Sequence, residues 1–250
     1  MSKSPSSENP SVPETLPEHL VIIPDGNRRW ATARGLKPWE GHEAGAENTK
    51  RLGEKVRELG IRQFTIWGSS LENLSKRPAA ETRALLDIYA RYFAEMAADP
   101  DIHENQVRVR FLGRWREQFP KSLRQSLEDL EAATATYRRH GLNFMLAYSG
   151  ADDMLQAINT LVKSGKREVA PEDVKKALMT ADLPAVDFLI RTGGEPHLSA
   201  GFMMWDLADS QLFFSDKLYP AFTPKELEAA LFDYAQRPRR KGARRVGFRG

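Results

Sequence analysis

The 250-residue chain predicts an α/β fold, a single parallel-rich sheet flanked by helices on both faces. Three observations carry that expectation. Short β-branched and apolar runs alternate with helical patterns along the chain, as in strand–crossover–strand units. The first run, Leu20 to Ile23, is apolar throughout, as a strand covered on both faces is. Three of the runs stop at polar loops rich in Asp, Asn, Ser and Arg. Parallel order brings such loops to one sheet edge, where ligands bind in open α/β folds.

The first run, Leu20-Val21-Ile22-Ile23, breaks at Pro24-Asp25-Gly26-Asn27 and displays Asp25, Asn27, Arg28, Arg29 and Trp30. One carboxylate, an amide, two guanidiniums and an indole suit an anionic, metal-bound substrate, although a plain Pro-Asp-Gly turn with solvated arginines reads alike. A basic loop, Arg34 to Trp39, leads to Gly41-His42-Glu43-Ala44-Gly45, which opens a helix to Leu59 stopped by Gly60. A helix entered through glycines can hold a phosphate on its free N–H groups.

Ile61 to Trp67 is the second strand, followed by a polar loop from Gly68 to Pro78. A helix over 80–98 carries apolar positions wider than one core stripe needs: either it packs on two sides or one side lines a cavity. Strands at 107–112, 142–148 and 186–190 follow, with helices at 120–139, 152–163 and 171–179 between them. The fifth strand ends in Arg191-Thr192-Gly193-Gly194-Glu195-Pro196-His197-Leu198-Ser199. An apolar segment spans 202–214, and Thr223-Pro224-Lys225-Glu226 has the capping box of a last helix.

Composition removes several classes. The chain has no cysteine, which excludes disulfides, thiolate nucleophiles and Cys-based metal sites and fits a reducing cytoplasm. No apolar run reaches the roughly 18 residues of a membrane span. Residues 1–17 are Ser/Pro/Glu-rich and read as a disordered leader before a single domain at 18–236. The net charge of +3 belongs to a basic tail, 237–250, which holds seven Lys/Arg and no acid. The rest has 30 basic against 34 acidic residues. Such a tail suits an anionic membrane surface or a substrate phosphate, or is a solvated terminus. No nucleic-acid motif accompanies it, so no nucleic-acid partner is expected.

The loops, in this order, resemble the cis-prenyltransferase family, whose bacterial members include undecaprenyl diphosphate synthase. The resemblance runs from His19 to about Arg240. It rests on I-I-P-D-G-N-R-R-W-A at 22–31, G-H-E-A-G at 41–45, E-N at 72–73 with R-P at 77–78, R-T-G-G-E at 191–195 and L-Y-P at 218–220. It implies a catalytic domain that condenses isopentenyl diphosphate with an allylic diphosphate using Mg²⁺. The product is a cis-polyprenyl diphosphate of undecaprenyl length or shorter, held in a hydrophobic tunnel between the sheet and two helices. It also implies a cytoplasmic homodimer, with peripheral membrane contact through the product or the basic tail.

By the same resemblance, Asp25 helps hold Mg²⁺ on the allylic diphosphate, gripped by Gly26, Asn27, Arg28 and Arg29, with Trp30 beside them. Lys37 and His42 contact phosphate. Asn73, with Ser69 and Ser70, handles the proton lost from isopentenyl diphosphate. An amide is a poor base, so Asn73 is read as orienting and pyrophosphate as a candidate acceptor. Glu72 and Leu74 flank that loop. Arg77, Arg191, His197 and Ser199 fall on the isopentenyl half.

This chain departs from the family pattern at several positions. Arg28 stands where Gly is usual, Pro24 where Met is usual, and Pro38, next to Lys37, where a phosphate-contacting Arg is usual. The usual Asn-Trp is Asn73-Leu74, with one extra residue before Arg77. His197 replaces an arginine. Gln211 aligns with a metal-binding glutamate, after an insertion near Gly201, with Asp209 as substitute if the segment is extended. These changes leave the diphosphate-binding plan intact and bear mainly on the isopentenyl half, at His197 and Gln211. Trp67 falls where a small residue is common, which shortens the product if it faces the tunnel and does nothing if it faces the other core. Arg240-Lys241-Gly242 resembles a tail motif laid over a neighbouring subunit's substrate. Other readings are an irregular, lavandulyl-type synthase and a non-catalytic partner subunit. A trans-type synthase is not expected, because the chain has no DDxxD pair.

Overall fold

The computed structural model describes Pro13 and residues 15–238. Most of the leader, and the tail beyond Pro238 with Arg240-Lys241-Gly242, lie outside the described residues. In chain order the elements are β1 (His19–Ile23), α1 (Asn27–Thr32), α2 (Pro38–Glu58), β2 (Gln63–Trp67), α3 (Leu71–Lys76), α4 (Ala79–Ala98), α5 (Pro100–Glu104), β3 (Val107–Leu112), α6 (Trp115–Gln118), α7 (Lys121–Thr134), β4 (His140–Met145), α8 (Gly150–Lys163), α9 (Pro171–Ala177), β5 (Phe188–Arg191), β6 (Gln211–Phe214) and α10 (Pro224–Gln236).

The six strands form one sheet in the order β3-β4-β2-β1-β5-β6, every pairing parallel. β1 is central, pairing Leu20 with Phe64 on one side and with Phe188 on the other. All five of its residues are buried. Its side chains alternate between two cores, because successive residues of a strand face opposite ways. Leu20 and Ile22 join the core beneath α2, α4, α7 and α10; Val21 and Ile23 join a second core with Leu183, Phe202 and Met203. Each such side chain, fully buried, stabilises the fold by ~1.5–3 kcal/mol. That anchorage makes the end of β1 a rigid mount for the loop that follows. The chain leaves β1 toward β2 and leaves β5 toward β6. The crevice above β1 and β5 is therefore the switch point at which ligands bind in such sheets.

Several sequence expectations are corrected. α2 begins at Pro38, not at Gly41, with Lys37 as its N-cap and the Glu40 carboxylate accepting from the Lys37 N–H at 2.8 Å. Gly41 and Gly45 therefore lie inside the helix, and they serve close packing rather than phosphate entry. A Cβ on Gly41 would sit 2.1 Å from the Asn27 carbonyl oxygen, and one on Gly45 would sit 2.6 Å from Asn27 Oδ1. The loop after β2 contains α3, capped by Ser70 Oγ accepting from the Asn73 N–H at 3.0 Å. The segment 201–209 is a series of turns, so Asp209 is not in extended chain.

α4 is packed on two sides, against α2 and α7 as well as the sheet. Phe93 meets Phe111 at 4.8 Å, Phe144 at 5.0 Å and Tyr89 at 5.8 Å between ring centroids, and these side chains fill the space between α4 and the sheet. A separate, mostly apolar cavity lies at the base of the same layer, lined by Val56, Ile61, Phe64, Tyr92, Met96 and Leu142. Trp67 faces the second core, 4.6 Å from Phe202, so it does not narrow the space under α4.

Candidate active site

A cleft of about 2180 Å³, counting its open mouth, lies above the ends of β1, β2 and β5. Asp25, Gly26, Asn27, Arg28, Arg29, His42, Ser69, Ser70, Glu72, Asn73, Arg77, Arg191 and Ser199 line it, together with the edge of Trp67. Thus the three loops expected to converge do converge.

Asp25 bridges the switch point. Its Oδ1 accepts from Arg29 Nη2 at 3.1 Å and its Oδ2 accepts from Arg191 Nη2 at 2.9 Å. Arg29 lies one helical turn along on α1, whereas Arg191 reaches over from β5. The loop backbone is clamped as well. The Asp25 N–H donates to Thr192 Oγ1 at 2.9 Å, and that hydroxyl donates to the Asp25 carbonyl at 2.8 Å. Thr192 was not among the expected site residues; its position directly after Arg191 was the available signal. Arg191 Nη1 also donates to the His197 carbonyl at 2.5 Å and to Ser199 Oγ at 3.0 Å. The loop after β5 is thereby folded onto one buried guanidinium. The Asp25 side chain is 30% exposed, so solvent and ligands reach it.

The opposite wall holds a second cluster. Arg77 Nη1 donates to His42 Nε2 at 2.8 Å and to Glu81 Oε1 at 3.1 Å. Burial, and next the Arg77 charge, push the His42 pKa down to about 4, so this imidazole is neutral at neutral pH. Arg28 Nε lies 3.6 Å from the same Glu81 oxygen. Glu81 was missed in the sequence, where an acid in the first turn of a helix reads as a dipole complement.

The loop after β2 places Ser69 and Ser70 between the two clusters. Ser69 Oγ accepts from the Ala147 N–H at 3.0 Å, which ties that loop to the end of β4. Asn73 is exposed at the cleft, and Glu72 pairs with Lys76 at 3.0 Å. Other candidates are not brought into the cleft. Leu74 packs on the first core. Trp30 carries Arg34 on its ring at 4.2 Å, and Lys37 lies 5.2 Å over Trp39. His197 is largely exposed, with Nε2 3.3 Å from Ser199 Oγ. Gln211 pairs with Phe188 at the far end of β6, three rows below the Arg191–Phe214 pair, and Asp209 is in an exposed turn before it.

One acid facing two guanidiniums, with a second set of cations opposite and hydroxyls and an amide between, can bind a substrate with several anionic oxygens. Comparison with known proteins agrees. Residues 23–242 match a family described as putative undecaprenyl diphosphate synthase. An isoprenyl transferase of Thermus thermophilus is 41% identical over 91% of this chain and 89% of its own. A tritrans,polycis-undecaprenyl-diphosphate synthase (geranylgeranyl-diphosphate specific) of Pyrococcus abyssi is 38% identical over 91% and 87%. The crystal structure of lavandulyl diphosphate synthase from Lavandula x intermedia, in complex with dimethylallyl diphosphate, superposes with a TM-score of 0.84 at 30% identity. That match covers 90% of this chain and 97% of the other.

Proposed function

This chain belongs to the undecaprenyl diphosphate synthase family of prenyltransferases, and on that premise we propose that it joins isopentenyl diphosphate to an allylic diphosphate in the cleft above β1 and β5. The allylic C–O bond breaks and its electron pair leaves with pyrophosphate. The isopentenyl double bond supplies the pair for the new C–C bond, and a proton is lost from the isopentenyl unit to leave a cis double bond. The observation that carries this reading is Asp25 held between Arg29 and Arg191 across the switch point.

Mg²⁺ fits the donors present. Among the described residues no group of three or more His, Cys, Asp or Glu side chains could hold a metal ion. Mg²⁺ is commonly bound by one carboxylate plus substrate phosphates and waters, and Asp25 is an accessible carboxylate in the cleft. When bound, the metal neutralises charge on the departing pyrophosphate. Arg29 and Arg191, released by Asp25, turn their donors to phosphate oxygens, for which a guanidinium fork is suited. Asn73 and the Ser69 and Ser70 hydroxyls orient the isopentenyl unit, and departing pyrophosphate takes the proton.

We also assign a short product. The Phe93 cluster occupies the space a long apolar chain would need. The same packing favours, as a second reading, irregular coupling of two five-carbon units. Purified protein supplied with labelled isopentenyl diphosphate and geranyl, farnesyl or geranylgeranyl diphosphate, with products sized by mass spectrometry, tests all three points. The expected result is a short cis product, lost on chelation of Mg²⁺ and lengthened by Phe93→Ala. A branched product indicates the irregular reaction, and absence of any product refutes both. Leu155, Ile158 and Val162 form an exposed apolar stripe along α8, which we assign to a second copy of the chain. Leu155→Asp should then lower the sedimentation mass to that of one chain. No helix among the described residues is long and apolar enough to cross a membrane, and any membrane contact is peripheral in this reading.

A further inference from the structure

Behind the cleft wall sits a carboxylate with three basic partners. Glu81 is 4% exposed and occupies the first turn of α4. Within 3.6 Å of its Oε1 are Arg77 Nη1 at 3.1 Å, His42 Nε2 at 3.5 Å and Arg28 Nε at 3.6 Å. These partners come from three separate pieces of the wall: Arg28 from α1, His42 from α2 and Arg77 from the C-cap of α3. All three partners line the cleft. A guanidinium can only donate, so the 2.8 Å contact from Arg77 makes His42 Nε2 an acceptor and puts the imidazole proton on Nδ1.

We infer that Glu81 is a positioning residue whose buried carboxylate sets the directions of Arg28 and Arg77, and through the Arg77 hydrogen bond that of His42, for recognition of a diphosphate. The inference rests on the proposed function for the identity of the ligand, and on the geometry for the role. Two guanidiniums converging on one pocket repel each other. A single buried anion between them holds both in place and leaves the wall cationic by one charge. Long side chains fixed in this way lose less freedom when the ligand arrives.

Two other roles predict different outcomes. If Glu81 acted only through its charge, it would repel a diphosphate, and Glu81→Gln would bind the ligand more tightly. If it served only the first turn of α4, Glu81→Asp would restore everything, since Asp complements the helix dipole equally. Positioning requires the full length of the glutamate.

The test is titration of inorganic pyrophosphate into the full-length protein by calorimetry, with melting temperature followed in parallel. Glu81→Gln should weaken pyrophosphate binding by on the order of tenfold, the scale of losing a supporting outer partner. Glu81→Asp should melt close to wild type and still bind several-fold more weakly, which keeps the test decisive if the Gln variant fails to fold. Equal or tighter binding by Glu81→Gln, full recovery in Glu81→Asp, or no binding by wild type would each overturn the inference. Turnover of isopentenyl diphosphate, assayed on the same samples, separates the two levels. Normal wild-type turnover with unaltered pyrophosphate binding in both variants removes the positioning role alone. Weakened binding in the variants with no prenyl product from wild type removes the proposed reaction alone.

Discussion

The two walls of the cleft each place one carboxylate between two guanidiniums, yet they do so under opposite conditions. Asp25, between Arg29 and Arg191, keeps 30% of its side chain exposed; Glu81, between Arg77 and Arg28, keeps 5%. Exposure decides what such a group can do. An accessible acid gives up its arginines to water, metal or phosphate at little cost. A buried one cannot, because an unpaired charge away from water is strongly unfavourable. The front acid is therefore suited to exchange partners during binding, and the rear acid to hold its partners throughout.

The largest effect expected from this contrast is on turnover. Asp25→Asn should lower kcat by about 10³-fold, the upper range for losing one electrostatic contributor at a reacting centre. A decrease of only a few-fold in a prenyl transfer assay would remove Asp25 from the chemistry. Next is stability. Glu81→Gln leaves Arg77 beside Arg28 without its anion and should cost roughly 3 kcal/mol in urea unfolding, the lower range for breaking a buried pair. A loss below about 1 kcal/mol would put Glu81 in the class of surface pairs and erase the contrast.

A smaller, pH-dependent effect follows from His42. Its pKa in the folded chain is about 4, against 6.5 when unperturbed, because burial and the Arg77 charge disfavour the imidazolium. The unfolded chain therefore binds more protons between these values, and stability falls as pH drops from 6.5 toward 4. The shift corresponds to roughly 3 kcal/mol. His19, fully buried between Thr65 and the Pro184 carbonyl, has a pKa lowered by burial and acts with the same sign. Comparing His42→Gln with wild type isolates the His42 share, and identical pH slopes would contradict it. The smallest effect belongs to Arg28→Ala. That side chain is more than half exposed, and its loss should change unfolding free energy by within about 1 kcal/mol.

The sheet, its parallel order and the meeting of three loops at one edge were legible because they depend on local patterns: buried β-branched runs and the Pro, Gly and Ser residues that end them. Asp25 and Arg191 were each legible as site residues. Their hydrogen bond was not, since it joins residues 166 positions apart through the β1–β5 register. Glu81 was hidden for a different reason. Its spacing of four from Arg77 is visible, but burial behind α1 and α2 is a property of packing. The filling of the space under α4 was hidden in the same way. A wide apolar helix face suits a cavity or a core equally, and α4 does both: Phe93 packs on Phe111 and Phe144, while Tyr92 and Met96 line the apolar cavity. Gln211 shows how a register matters: alignment alone suggested a ligand near Asp25, while pairing with Phe188 puts it at the other end of the strand.

The most direct measurement is the Mg²⁺ dependence of pyrophosphate affinity in Asp25→Asn and Glu81→Gln, side by side with wild type. If the front acid exchanges partners and the rear acid does not, Asp25→Asn binds pyrophosphate without metal at least as well as wild type and gains nothing from Mg²⁺. Glu81→Gln binds weakly in both conditions and keeps the Mg²⁺ gain. The same loss in both variants, with equal Mg²⁺ dependence, would contradict the account.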